Sequence, residues 1–336
     1  MNIALSDVPS LAAVLAAAYS SGLIGAMAEK PGAAADLALR CGLDARACAH
    51  VLDVLEAFGV TSHDGEAYCA SLELLEEAGR PIALVELESA MWRHAPTFLR
   101  TGAPLVAMDA DPRDREAVYR DIVSPLGQLF ATAADRLAER SGLTPQTVLD
   151  VGCGSGVWSL AFAGRLPAAR VTGVDLPAVV DQFRRRAAAL GLGNRVATIE
   201  GDMHTVSLPE SGSDLAILAN VLRLEPTERA RSLVARSVAA VRPGGSILVV
   251  DALAAGTPAA ERARALYAFH LSIRTRAGRV HRAAEVSEWM REAGCEAPAA
   301  IAIDEYVSLG ALGALVARKP IAGMSGAIEE RWFMHR

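Results

Sequence analysis

The feature that most restricts this chain is the run "VLDVGCGSG" at 148–156. Val148, Leu149 and Val151 around Asp150 read as a short buried strand. Gly152, Gly154 and Gly156 then turn the chain into an apolar helix that starts at Val157. Glycine tolerates left-handed backbone angles and carries no side chain, so a ligand can lie directly against such a turn, facing the amino end of the helix. The spacing is G-x-G-x-G. A dinucleotide turn wants a further glycine where Val157 stands, and a phosphate-cradling loop wants Gly-Lys-Ser/Thr, which does not follow here.

The residues downstream agree with a strand–turn–helix unit. Apolar runs at 170–175, 195–202, 214–220 and 246–251 alternate with helical stretches at 157–165, 178–190 and 227–241. A further helix at 284–293 precedes a final strand pair at 300–307 and 312–317. This is the order of a mainly parallel α/β sheet with helices on both faces. Asp175 ends the second strand, where a carboxylate accepts from both hydroxyls of a ribose. Asp202 and Met203 end the third and offer an acceptor for an adenine amino group and an apolar surface for its ring. Three consecutive strand ends therefore point to a nucleoside ligand without a pyrophosphate.

The amino-terminal part reads differently. Residues 11–28 carry no charge, but they are rich in alanine, are interrupted at Ser20, Ser21 and Gly22, and follow Asp7. They predict two buried helical segments rather than a membrane span or signal peptide. A helix at 33–40, a turn at Gly42 and a second helix at 44–58 come next. Asp44 is its expected N-cap, and Ala47, Val51, Val54, Leu55 and Phe58 its expected apolar stripe. A hairpin around Asp64-Gly65 completes a helix–turn–helix with a wing. DNA-binding and oligomerisation modules share that shape. A net charge of −6, with no Lys/Arg-rich second helix, argues against a nucleic-acid partner. Residues 81–140 read as helical with a loop at 108–116; Trp92, Phe98, Tyr119 and Phe130 there are core residues or pocket walls. Five scattered cysteines and seven histidines without ligand spacing predict a reduced, cytoplasmic protein with no metal site.

Taken together, these motifs resemble those of class I S-adenosylmethionine-dependent methyltransferases. More narrowly, the chain is similar to the dimeric small-molecule O-methyltransferases of plant phenolic and bacterial polyketide pathways. "DVGCGSG", "VDLP" at 174–177, "GDM" at 201–203, "NVL" at 220–222, "RPGG" at 242–245 and "EAG" at 292–294 stand where that family has close equivalents. The resemblance spans about residues 10–318. It implies a Rossmann-like, mainly parallel seven-stranded sheet with an N-terminal all-α winged-helix dimerisation domain. The implied boundaries are 1–80 for that domain, 81–140 for a helical linker or lid contributing to the substrate pocket, 141–320 for the catalytic domain and 321–336 for a tail. It also implies S-adenosyl-L-methionine as cofactor, held by Asp150, Gly152, Gly154, Gly156, Asp175, Leu176, Asp202, Met203 and Asn220. The implied partners are a small-molecule acceptor and a second copy of the chain, with no membrane. Trp92, Phe269, His270 and His281 are the expected acceptor-binding residues, suited to an apolar, aromatic or polyketide-like molecule.

One segment departs from the family. Typical members read "NVLHDWDDE" after the fourth strand, and this chain reads "NVLRLEPTE" at 220–228. Arg223 thus stands where the family has its catalytic histidine, and an arginine cannot deprotonate a phenol near neutral pH. Of the two carboxylates that flank the family's base, one position is Asp251 and the other, in "AGRVHR" at 277–282, is Val280. Three accounts stay open. The acceptor needs no strong base and Arg223 holds an anion near the reacting methyl. Or His270, or His281, replaces the base. Or methyl transfer has given way to hydroxylation or pericyclic chemistry on the same fold. Arg223, Asp251 and His270 are the catalytic candidates. An acceptor-facing Arg223 predicts that Arg223→Ala costs far more turnover than stability, whereas an Arg223–Asp251 ion pair would make both residues structural. From other classes, a ligand-sensing regulator conflicts with the acidic balance, and a nicotinamide oxidoreductase conflicts with Val157.

Overall fold

The computed structural model describes residues 8–71, 82–253, 258–301, 303 and 312–321. By their contacts they fall into two units, Met1–Arg93 and His94–Arg336.

In the first unit, α1 (Val8–Ser20) and α2 (Leu23–Glu29) meet at Gly22, whose φ of +77° breaks the uncharged run into two helices bent by 66°. Among the described residues no single helix is long and apolar enough to cross a membrane; this bent pair reaches that length only jointly. α3 (Ala34–Cys41) ends at a left-handed Gly42. Asp44 then caps α4 (Ala45–Ala57) by accepting from the Ala47 N–H at 2.8 Å. Of the expected stripe, Leu55 is buried and Val51 packs against the same core, while Cys48 and Leu52 rather than Ala47 complete the buried face. Alanine gains little from burial, so the helix turns its leucines inward and leaves Ala47 exposed. Strands β1 (Thr61–His63) and β2 (Tyr68–Ala70) form the expected hairpin, and Asp64 accepts from the N–H groups of Glu66 and Ala67 within its turn. Helix α5 (Ile82–Thr101) runs from the first unit into the second.

The second unit continues with α6 (Pro112–Leu129) and α7 (Ala131–Arg140). The loop between α5 and α6 is 102–111, earlier than the expected 108–116, because Pro112 sits at the first helical position and starts α6 there. Then come β3 (Thr147–Val151), α8 (Val157–Arg165), β4 (Arg170–Asp175), α9 (Pro177–Ala189), β5 (Val196–Glu200) and β6 (Ser213–Ala219). They are followed by α10 (Thr227–Ala240), β7 (Val241–Asp251), α11 (Pro258–Ser272), α12 (Ala283–Glu292), β8 (Ala299–Ile301) and β9 (Gly313–Arg318).

The seven strands lie in the order β5-β4-β3-β6-β7-β9-β8. All run parallel except β9, which is antiparallel to both its neighbours. Alternate residues of each strand feed two cores. Val148, Leu215, Ile217, Leu248 and Val250 pack with Phe162 and Phe183. Leu149, Val151, Ala216, Leu218 and Val249 pack on the other face with Leu233, Val286 and Met290. Of the expected strand at 300–307, residues 302 and 304–307 lie outside the described residues, as does the expected tail from 322 onward. The connections reverse direction between β3 and β6. Ligands of such sheets bind in the crevice that this reversal opens at the carboxyl ends of the strands.

Candidate active site

The glycine turn lies at that crevice. Gly152, Gly154 and Gly156 take φ values of +74°, +54° and +72°, a region that L side chains rarely enter. Close packing adds to the requirement at two of them. A Cβ on Gly156 would fall 2.3 Å from the Phe183 ring, and one on Gly152 would fall 2.6 Å from Val221. The N–H groups of Gly152 and Cys153 donate to the Val174 carbonyl at 2.8 and 3.0 Å, tying the turn to β4.

Asp175 ends β4 and accepts from the Gly154 N–H and the Leu176 N–H, both at 2.8 Å, one on each oxygen. Each oxygen keeps a further lone pair. Burial raises its pKa to about 6, against the lowering effect of those two N–H groups. Asp150 is buried beneath the turn and accepts from the Ser159 hydroxyl at 2.5 Å. Burial raises it to about 7 and the Ser159 bond works the other way. Asp202 follows β5, accepts from the His204 N–H at 2.9 Å, and has Arg115 at 3.6 Å; Met203 beside it is buried. Asn220 follows β6 with a φ of +61°, unusual for a residue with a side chain. The four strand ends thus carry backbone N–H groups, three carboxylates and a buried thioether, with no lysine where a pyrophosphate would lie. That donor set suits a nucleoside with a cationic amino-acid arm, which is the chemistry of S-adenosylmethionine.

In the segment after β6, Arg223 is paired within the protein. Arg223 is only 8% exposed. Its Nη1 donates to Asp251 Oδ1 at 2.9 Å and to Asn220 Oδ1 at 2.5 Å, and its backbone N–H donates to Asp251 Oδ2 at 3.2 Å. Asp251 also accepts from the Ala252 N–H at 2.8 Å. Both candidates are therefore occupied with holding this turn. Val280 belongs to a buried apolar cluster with Leu224, Ala252, Tyr267 and Leu271.

His281 is likewise engaged by the same turn. Its Nε2 lies 3.0 Å from the Leu222 carbonyl and 3.2 Å from the Glu225 carbonyl, and its ring meets Trp289 edge-on at 5.0 Å. Burial lowers its pKa, and the neutral ring donates its one proton from Nε2 to the 222–225 turn. His270 is buried on α11, and Phe269 beside it meets Phe98 edge-on at 6.0 Å. Trp92 belongs to the first unit, on α5.

Sequence reasoning missed a buried charge network. Glu225 has His204 Nε2 at 2.9 Å, Arg229 Nε at 2.7 Å and Arg115 Nη1 at 3.4 Å. Burial alone would raise its pKa; the His204 and Arg229 hydrogen bonds outweigh that and hold it below the ordinary value. Arg115, from α6, spans Asp202 and Glu225. The available signal was an acid, Glu225, beside the apolar residues Leu222 and Leu224 a short turn beyond β6, which if buried needs cations from elsewhere. Asp109 was also missed. It accepts from the N–H groups of Arg276, Ala277 and Gly278, at 2.8, 2.6 and 3.2 Å, fixing the chain beyond α11. Among the described residues no group of three His, Cys, Asp or Glu is placed to hold a metal.

A sheet of this order, with a glycine turn and acidic strand ends at its switch point, defines the Rossmann-like class I methyltransferase fold. The family model for the O-methyltransferase domain matches residues 87–296, and the chain belongs to that family of S-adenosylmethionine-dependent methyltransferases. It is 27% identical over 296 residues, 84% of this chain and 85% of the other, to 3-hydroxy-5-methyl-1-naphthoate 3-O-methyltransferase of Streptomyces sahachiroi. A shorter stretch of 104 residues, 31% of this chain and 27% of the other, is 40% identical to aclacinomycin 10-hydroxylase RdmB of Streptomyces purpurascens. The crystal structure of human N-acetylserotonin methyltransferase in complex with S-adenosylmethionine shares the fold at a TM-score of 0.74 and 20% identity, covering 94% of this chain and 95% of that one.

Proposed function

We propose that this enzyme methylates an oxygen of a small hydroxylated aromatic or polyketide-like acceptor, without an imidazole base at the family's position. The observation that carries the reading is the contrast between the two halves of the site. The cofactor half keeps its glycine turn and acidic strand ends, while the base position holds an arginine locked to Asp251 and Asn220.

Bound in the crevice, S-adenosylmethionine supplies an electrophilic methyl group on a positively charged sulfur. The turn at 152–156, with Asp175, Leu176, Asp202, Met203 and Asn220, binds and orients the cofactor, and Asp150 supports the turn from beneath. Phe98, Phe269 and His270 wall the acceptor. Much of the acceleration of an in-line displacement comes from alignment of the reacting atoms. A general base adds about 10²–10⁴-fold, and an acceptor hydroxyl acidic enough to ionise in the site does not need it. The similarity along most of the chain to an enzyme named for a hydroxynaphthoate supports an acceptor of this type. The helix–turn–helix and hairpin of the first unit act as a winged-helix dimerisation domain, and the free cysteines support a cytoplasmic enzyme.

The test is calorimetric titration with S-adenosylmethionine and, separately, S-adenosylhomocysteine, followed by mass spectrometry of hydroxyaromatic acceptors. Micromolar binding of both, and acceptors that gain one methyl group, are expected. A folded sample that binds neither refutes the reading. A second reading, hydroxylation, is favoured by the locked Arg223 together with the local identity to a hydroxylase. It predicts a gain of one oxygen atom from dioxygen, with a two-electron reductant such as a thiol added and water released, and a strong preference for the intact sulfonium. Light scattering of the purified chain tests the dimer.

A further inference from the structure

Asp202, at the end of β5, is held from several directions. Its carbonyl accepts from the Thr205 and Val206 N–H groups, both at 2.9 Å, so the backbone that carries it is a fixed turn. On its carboxylate, Oδ1 accepts from the His204 N–H at 2.9 Å, and Oδ2 has Arg115 Nη2 at 3.6 Å. Arg115 reaches it from α6 and is itself buried; its Nη1 donates to Glu225 Oε1 at 3.4 Å. That same oxygen lies 2.9 Å from His204 Nε2. The contacts close a circuit: Asp202 to Arg115, Arg115 to Glu225, Glu225 to the His204 side chain, and the His204 backbone to Asp202. Arg229 Nε holds the other oxygen of Glu225 at 2.7 Å and fixes that acid in turn.

Charge balance alone does not require this circuit. Glu225 has His204 and Arg229 without Arg115, whereas Arg115 is the one ion-pair partner of Asp202 among the described residues. The side chains of Arg115, His204 and Glu225 are 9%, 10% and 5% exposed, and that of Asp202 is 17%, so Asp202 is the member a ligand can approach. Its contacts take one site on each oxygen and leave others to accept. An adenine offers its 6-amino group as a donor, with a bare N1 beside it. A 6-oxopurine offers the reverse, a carbonyl at position 6 and an N–H at N1. A carboxylate free to turn can accept from either. One held in place accepts from the adenine and meets the carbonyl of the other, acceptor against acceptor.

We infer that Arg115 and Glu225 are positioning residues that pin Asp202, and that the pinning makes the site select an adenosyl cofactor over its 6-oxopurine counterpart. Arg115 acts on the cofactor through Asp202, and Glu225 acts through Arg115. The turn beyond β6, which carries Glu225, thereby helps to set cofactor recognition at the end of β5. This rests on the methyltransferase reading above and on Asp202 as its adenine-facing acid.

The test is calorimetry on the full chain with S-adenosylhomocysteine and with S-inosylhomocysteine, in which hypoxanthine replaces adenine. Wild type should bind the adenosyl compound about 100-fold or more tighter. Asp202→Asn, whose amide nitrogen can turn towards a 6-oxo group, should lose most of that preference. Arg115→Met leaves Glu225 with His204 and Arg229, and Asp202 with the His204 N–H. It should cut the preference about tenfold. Arg115→Lys should keep part of it, and Glu225→Gln should lower it by less than Arg115→Met does. A wild type without preference overturns the inference, as does an Asp202→Asn protein that keeps the full preference. So does an Arg115→Met protein that weakens both compounds equally, the pattern of an arginine that is only structural or that touches the amino-acid arm. If Arg115→Met does not fold, an unchanged preference in both Arg115→Lys and Glu225→Gln overturns it. Wild type that fails to bind S-adenosylhomocysteine sinks the methyltransferase reading and this inference together, whereas binding with a preference that no variant changes sinks only the latter.

Discussion

Asp251→Ala strands a buried arginine. Asp251 is 2% exposed and accepts from Arg223 Nη1, the Arg223 N–H and the Ala252 N–H, at 2.9, 3.2 and 2.8 Å. Removing one partner of a buried ion pair costs about 3–5 kcal/mol, because the remaining charge keeps its desolvation penalty without compensation. Arg223→Met leaves Asp251 with two backbone donors and should cost less, about 2–3 kcal/mol. With both residues replaced no charge stays buried. The double variant should therefore lose less than the two single losses added together, with a coupling of roughly 2 kcal/mol. Urea unfolding followed through Trp158 and Trp289, both in the sheet unit, measures the cycle. In a thermal melt the Asp251→Ala loss corresponds to roughly 10 °C. Strictly additive losses, or an Asp251→Ala loss below about 1 kcal/mol, would show that the pair is not held as the structure has it. An acceptor-facing Arg223 predicts the reverse pattern, turnover lost with stability kept.

The remaining predictions concern the turn, its carboxyls and the loop beyond α11. Asp150 and Asp175, raised to about 7 and about 6 from ordinary values near 3.8, make the cofactor-free folded chain bind more protons than the unfolded one. Their contribution to stability should fall as pH rises from about 4 to 7 and then level off, a trend read in thermal melts. S-adenosylhomocysteine, through its ammonium group, should bind more tightly from pH 6 to 8 and release protons on binding; a flat affinity across that range refutes the coupling. Gly156→Ala combines a left-handed φ of +72° with a Cβ 2.3 Å from Phe183 and should cost roughly 2–4 kcal/mol. Gly154→Ala, whose nearest neighbour would be Val123 at 3.7 Å, should cost only the backbone strain of roughly 1–2 kcal/mol; melts that reverse this order would contradict the packing. Asp109→Ala leaves the N–H groups of Arg276, Ala277 and Gly278 without their acceptor and should speed hydrogen exchange at 276–278 while the sheet stays protected.

The sheet was legible because its strands are buried on both faces, so each reads as a short apolar run between turn residues. Leu149 and Val148 face opposite cores, yet both had to be apolar. The strand-end residues were legible for a different reason: a glycine turn and an acid at a strand's end are local patterns, and Asp175 meets Gly154 through a turn the sequence already marks. The α4 stripe held at Val51 and Leu55 and failed at Ala47, because alanine and leucine count equally in a periodicity reading but not in burial. What the sequence hid were pairings across the chain. Arg115 and Glu225 are separated by 110 residues, and Asp109 and Ala277 by 168, and no spacing rule connects them. Arg223 was located by register alone, and its partner was open until Asp251 and Asn220 were seen to occupy its Nη1.

The altered segment is rebuilt rather than eroded. Against the typical "HDW", this chain has Arg223, Leu224 and Glu225. Each replacement is answered elsewhere in the fold. Arg223 meets Asp251, Leu224 shares an apolar cluster with Val280, and Glu225 meets His204, Arg229 and Arg115. Random loss of a base would leave a buried charge or a cavity, and each costs several kcal/mol that a domain stable by only about 5–15 kcal/mol cannot absorb three times over. Three matched changes instead describe a turn re-specified as a unit, with His281 fastening it through the carbonyls of Leu222 and Glu225. The cofactor half, sharing Asp202 with this network through Arg115, keeps its turn and acids. Under the proposed function, with Arg223 paired to Asp251 at the base position, positioning and acceptor acidity rather than proton abstraction at residue 223 set the rate.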